Sequence, residues 1–105
     1  PIILFEKAPP IDVAKIPFDG LACVSLHHSN SLNEAKNKLH DKFAIQGNLD
    51  PKVLTLTEKE ITKETEMILD TMADYPGFIF NLGHGITPNI HPDKIQVMID
   101  TIRNP

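Results

Sequence analysis

FIFNLGHGITP, residues 78–88, carries the pattern on which the reading of this chain turns. Phe78-Ile79-Phe80 is a short aromatic and β-branched run of the kind that forms a strand. Asn81 to Pro88 holds two glycines and a proline, which mark a loop, and a helical pattern begins at Pro92. Proline lacks an N–H that a helix's first turn does not need, and Asp93 suits the positive end of the helix dipole. Ile95, Met98, Ile99 and Ile102 then form one apolar stripe, and Pro105 ends it. Strand, loop and helix in that order make a βα unit.

The same alternation recurs toward the amino terminus. Apolar runs at Ile2–Phe5, Leu21–Leu26 and Phe43–Ile45 are bounded by Pro, Gly or charged residues. They lack strict alternation, which predicts parallel strands covered on both faces. Between them, Thr57-Glu58-Lys59-Glu60 reads as a capping box that starts a helix, with Ile61, Ile68, Leu69 and Met72 on its buried side. Ser31 to Leu39 predicts a shorter helix through Leu32, Ala35 and Leu39. Ala8–Pro17 is interrupted by prolines, leaving Ile11 to Ile16 for about one and a half turns. The expectation is βαβαβαβα, an α/β chain of four consecutive parallel βα units with right-handed crossovers. No linker or low-complexity tract divides residues 1–105.

Composition narrows the function. The chain has 105 residues, 10 basic, 14 acidic and 5 His, a formal charge of −4. With 41% apolar and 23% charged residues it reads as one folded domain. No apolar run approaches the ~20 residues that span a bilayer, and no secretory leader is legible. Acidic balance and a single arginine, Arg103, argue against a nucleic-acid partner. Cys23 is the only cysteine, which favours a reducing, cytoplasmic setting. Pro1 in place of an initiator Met suggests a processed, trimmed or partial chain.

Ligands of βα folds meet residues just beyond the carboxyl ends of the strands. Four places qualify: Glu6-Lys7, His27-His28, Gln46-Gly47-Asn48 and Asn81 to Gly85. In the last, Gly83 and Gly85 flank His84 and permit close approach of a ligand. An imidazole there can bind a carboxylate or pass a proton; the alternative is a histidine that fills a turn. The loop lacks the third glycine of a dinucleotide fingerprint, and no P-loop is present. His27 and His28 invite a metal, but adjacent residues leaving a strand point in opposite directions, and Cys23 lies inside a strand. No metal site is expected. Ser25 and Ser29 neighbour histidines without a nucleophile elbow. Glu58, Glu60, Glu64 and Glu66 read as a solvated helix face, and Met67, Met72 and Met98 as core.

AIQGNLDPKVL (Ala44–Leu54) and FIFNLGHGITP, with PIILFEK at the start and IHPDKIQVMIDTI (Ile90–Ile102) near the end, resemble the carboxyl-terminal part of the uroporphyrinogen decarboxylase family. That resemblance implies a (β/α)8 TIM barrel of which this chain is the carboxyl-terminal half, a partial domain. It implies a cytoplasmic, usually homodimeric enzyme that removes carboxyl groups from four acetate side chains of uroporphyrinogen, giving coproporphyrinogen in haem and tetrapyrrole synthesis. No cofactor is implied. The family's substrate-contacting histidine carries over to His84. Its arginines, central aspartate, tyrosine and serine contacts would precede Pro1. Gly47, Asn48 and Asp50 are expected to shape the strand-to-helix turn near the site. The sequence departs from the family at SLHH (Ser25–His28), where many members read GLDW, and at Ala8-Pro9-Pro10. Zinc-dependent, cobalamin-linked methyltransferases share the superfamily, but one thiol disfavours their chemistry.

A substrate with eight carboxylates needs many cationic donors. One arginine and a charge of −4 therefore predict that the isolated chain does not turn over. Half a barrel exposes two strand edges and an apolar inner face, which predicts a homodimer or pairing with the missing half. The second reading is a non-catalytic βα binding module of the same superfamily.

Overall fold

In the computed structural model, which describes residues 2–6, 21–39 and 43–104, four parallel strands form one sheet. β1 (Ile2–Glu6), β2 (Leu21–Leu26), β3 (Ala44–Leu49) and β4 (Phe78–Leu82) lie side by side in chain order. That order follows when each crossover advances the chain by one strand in the same direction. The helical expectation at Ala8–Pro17 and the candidate Lys7 lie outside the described residues. No described helix is long and apolar enough to cross a membrane.

Register decides what each face of the sheet carries. Leu4, Val24, Ile45 and Phe78 stand in one row, and Phe5, Ser25, Gln46 and Ile79 in the next. Successive side chains point to opposite faces. The first row meets the helices: Val24 and Ile45 are 1% and 0% exposed. Phe5 and Ile79, in the second, are 46% and 45% exposed. Coverage on both faces, expected from the missing alternation, is thus not what the described residues show. The helices cover one face, and the other keeps apolar side chains open.

The helix starts follow their local chemistry. In α1 (Leu32–Leu39) the Ser31 hydroxyl accepts the Glu34 N–H at 3.3 Å. In α2 (Glu58–Thr71) the capping box forms in both directions, Thr57 Oγ1 accepting from Glu60 N–H and Glu60 Oε2 from Thr57 N–H. In α3 (Pro92–Arg103) the cap is His91, whose Nδ1 accepts the Asp93 N–H at 3.2 Å. A 3-10 helix at Pro51–Thr55, unforeseen in the sequence, follows β3.

Two apolar cores lie between sheet and helices. Val24, Leu26, Leu32, Leu39, Ile45, Met72 and Tyr75 form one; Leu49, Leu54, Ile61, Ile90 and Met98 form the other. Ile68 packs on both and joins them. Each fully buried Leu or Ile stabilises such a core by about 1.5–3 kcal/mol. Two assignments within α2 need correction. Met67 is 53% exposed rather than core, and Leu69 belongs to neither cluster, whereas Thr65 is fully buried. At 100° per residue, Ile61, Thr65, Ile68 and Met72 form the true inner line, and a hydroxyl in that line hid it.

Polar ties fasten α2 to its neighbours. Lys36 Nζ donates to the Thr71 carbonyl at 2.8 Å and to Asp74 Oδ1 at 3.0 Å, and the Tyr75 hydroxyl donates to the Phe43 carbonyl at 2.6 Å. The Lys36 hydrogen bond, then a backbone hydrogen bond and the Lys36 charge, hold the Asp74 carboxyl below its ordinary range. A carboxyl lowered in the folded state stabilises the fold above its unfolded-state pKa, and that contribution disappears as pH falls through the folded-state value. Asp74→Asn should therefore lower stability slightly at neutral pH and flatten the acid limb of the stability profile below about pH 4 by the same amount, a small one because Asp74 is exposed. Urea melts across pH 2.5 to 7 would check it, and an unchanged acid limb would contradict it. Thr57→Ala, which removes the capping box, should cost about 1 kcal/mol in the same assay.

Candidate functional site

The carboxyl ends of β2, β3 and β4 converge through backbone contacts. Gly83, directly after β4, donates its N–H to the Leu49 carbonyl at the end of β3, 2.8 Å away. A side chain at position 83 would drive its Cβ into the backbone nitrogen of His28 and bring it within 2.6 Å of the His28 Cα. Only glycine lets the β4 loop lie against the β2 loop. From the intervening strand, Asn48 Nδ2 donates to the His27 carbonyl at 3.2 Å and to the Asn30 carbonyl at 2.5 Å.

This convergence gathers three imidazoles. The His27 and His28 rings lie 4.0 Å apart, centroid to centroid, tilted by 32°. His27 and His84 meet edge to face at 5.8 Å. The adjacent histidines therefore do not diverge as an extended strand would make them: both sit at a turn, where the period of two no longer applies. His27 Nδ1 accepts the Ser29 N–H at 3.2 Å and lies 2.8 Å from the Ser29 hydroxyl. A backbone N–H only donates, so the neutral His27 ring carries its proton on Nε2. His28 Nε2 lies 3.8 Å from Asp50 Oδ1, and its buried Nδ1 has no hydrogen-bond partner among the described residues. His84 is exposed, its Nδ1 3.5 Å from the Gly85 carbonyl. Among the described residues no group of three or more His, Cys, Asp or Glu side chains is arranged to hold a metal. Burial pushes the Cys23 thiol above its ordinary pKa, so it stays protonated and is a poor ligand or nucleophile.

Beside the imidazoles lies a concavity of 480 Å³ on the open face of the sheet. Ile3 and Phe5 from β1 give it an apolar wall; Ser25, Gln46 and Asn81 run a polar line across β2, β3 and β4; His84, Gly85 and Ile86 form the rim. Gln46 Nε2 donates to Ser25 Oγ at 3.1 Å, and Asn81 Oδ1 accepts the Leu82 N–H at 2.8 Å. Among the described residues no lysine or arginine lines this space. The arrangement offers apolar contact, hydrogen-bonding groups and an imidazole able to meet one acidic group of a ligand.

Of the residues nominated by the sequence, His84 stands at the rim and Gly83 holds the loops together. Gly85 is surrounded by open space, and a Cβ added there would meet nothing within 4 Å. Gly47 and Asn48 lie within β3 instead of the turn beyond it, because the strand continues to Leu49. Gly47 adopts φ +139°, and a Cβ there would approach the Leu26 carbonyl oxygen to 3.0 Å. Asp50 does shape the turn, accepting the Lys52 N–H at 2.9 Å. Gln46 and Asn81, also nominated by the sequence, line the concavity. Missed in the sequence were the part of Ser25, which Gln46 reaches by a hydrogen bond, and the contact between His27 and His84. Both join segments far apart in the chain and leave no local signal.

The profile of the family described as Uroporphyrinogen decarboxylase (URO-D) matches residues 1–105. The chain belongs to that family. Uroporphyrinogen decarboxylase of Alcanivorax borkumensis is 38% identical over 102 residues, which cover 97% of this chain and 29% of the relative. That of Syntrophotalea carbinolica is 39% identical, covering 97% and 30%, and that of Ruthia magnifica 37%, covering 97% and 29%. The chain thus spans about three tenths of the length of the curated relatives it matches. A URO-D family member whose site is built in this way should tolerate its two loop glycines unequally. Gly83→Ala should cost at least about 2 kcal/mol by overpacking against backbone, whereas Gly85→Ala should change stability by less than about 1 kcal/mol. Chemical denaturation of both variants tests this; equal tolerance would show that the loops do not need the close approach.

Proposed function

We propose that this chain forms the carboxyl-terminal half of a uroporphyrinogen decarboxylase (β/α)8 barrel and supplies one wall of its tetrapyrrole cavity. The open sheet face is the observation that carries this reading. A row with Phe5 and Ile79 exposed beside Ser25 and Gln46 is costly in water. It is what a barrel interior requires once four more strands close it. The partner is the missing half of the barrel, or a second copy that closes eight strands about a two-fold axis.

The reaction removes four acetate carboxyl groups from uroporphyrinogen. At each one a ring carbon of the pyrrole takes a proton, and the electron pair of the C–C bond flows into the ring as CO2 leaves. The exocyclic carbon is then protonated to a methyl group as the ring proton departs. Per carboxylate, one proton is consumed and one CO2 released, so no oxidant or cofactor enters the balance. His84 holds a carboxylate at the rim by a hydrogen bond, strengthened when the imidazole is protonated. Ile3 and Phe5 contact the macrocycle, and Ser25, Gln46 and Asn81 offer hydrogen bonds along it. The cations that neutralise the other carboxylates belong to the rest of the barrel. Arg103, the chain's only arginine, stands at the end of α3 and is not among the residues that line the concavity.

In the complete enzyme His84→Ala should lower kcat/KM by about 10- to 100-fold, the size of one charge-assisted hydrogen bond, with the thermal midpoint retained. Coproporphyrinogen formation followed by fluorescence after oxidation measures it, and unchanged activity would remove His84 from the site. The 105 residues alone should give no turnover and should associate at micromolar concentration. A stable monomer by light scattering would contradict the closure argument. A non-catalytic binding module of the superfamily, the second reading, finds support in the lack of any described lysine or arginine around the concavity. It predicts tetrapyrrole binding without CO2 release even when the barrel is complete.

A further inference from the structure

His84 has little of its own to hold it. It is exposed, its flanking glycines bring no side chains, and its Nδ1 contact to the Gly85 carbonyl is long at 3.5 Å. Among the described residues, the contact that orients the ring comes from His27, edge to face at 5.8 Å. His27 is itself fixed from several sides. Ser29 pins Nδ1, the His28 ring stacks at 4.0 Å, and Asn48 holds the His27 carbonyl. Gly83 presses the two loops together by backbone contact with His28. A continuous set of contacts therefore runs from the interior of the sheet, through His27, to the exposed imidazole.

We propose that His27 is the positioning residue for His84, setting the ring that meets the substrate carboxylate; this rests on the reading of His84 as a substrate contact. An exposed side chain samples several rotamers, and binding that needs one of them is weakened by the fraction of time spent elsewhere. Aromatic pairs in edge-to-face geometry shift such populations by roughly 3- to 10-fold. The role needs the shape of the His27 ring, set at right angles to that of His84. It does not need a proton to move on or off it.

The test is the steady-state kinetics of four variants of the complete enzyme, with thermal midpoints measured alongside. His27→Ala should lower kcat/KM about 3- to 10-fold, chiefly through KM. His27→Phe, which keeps a planar aromatic ring, should restore most of the loss. In a His84→Ala background, His27→Ala should add nothing, because the ring it orients is gone. Ser29→Ala, which unpins His27 without removing it, should give a smaller loss in the same direction. Failure of His27→Phe to rescue, or losses that multiply in the double variant, would overturn the proposal. So would wild-type kinetics in His27→Ala or, should that variant not fold, in Ser29→Ala. If His84→Ala alone keeps full activity, the proposed function fails first, and the two failures are thereby told apart.

Discussion

The carboxyl ends of three neighbouring strands can meet only because residue 83 carries no side chain. The β4 loop lies so close to His28 that a single methyl group would overlap its backbone nitrogen. In that space Gly83 also donates to the Leu49 carbonyl, which ties the same loop to β3. Asn48 completes the arrangement from the strand between, its side-chain amide donating to two carbonyls of the β2 loop. The imidazole cluster follows from these backbone constraints. His27, His28 and His84 are brought together by the loops that carry them, and their own mutual attraction is too small to do it.

Among the described residues, the sheet that supports this convergence is covered by helices on one side only. Helices bury the row of Val24 and Ile45, while Phe5 and Ile79 in the neighbouring row remain open. An antiparallel sheet with one solvated face places polar residues there. Here the open row mixes apolar side chains with a Ser–Gln hydrogen bond, which fits the enclosed barrel interior proposed above. The two apolar cores beneath the helices, joined by Ile68, show that the covered side is well supplied with packing. On the proposed reading, what is missing faces the open side.

Much of this architecture is legible in the residues alone. The capping box at Thr57, the Pro92 start and the four apolar runs depend on local chemistry, and local chemistry is written in neighbouring residues. What escapes such a reading depends on contacts distant in sequence. β3 runs on through Gly47 and Asn48 to Leu49 because β4 pairs with it there, which no pattern within QGN announces. Thr65 takes a core position because the helix turns it inward, and a hydroxyl in the apolar stripe broke the period. The site shows the same division. His84 between glycines was visible, whereas its contact with His27 needed the strand order.

Charge explains how such a wall could serve the proposed cavity at all. The chain is acidic overall, and no described lysine or arginine lines the concavity, so long-range attraction from this wall cannot draw in a polycarboxylate. The wall must then act at short range, through apolar contact with Ile3 and Phe5 and through hydrogen bonds whose geometry is set in advance. Short-range contacts lose their value with small displacements, which is why an exposed imidazole in this position gains from a neighbouring ring that holds it. On the proposed reading the two halves of the cavity differ in kind. One attracts and neutralises, and this one shapes and aligns.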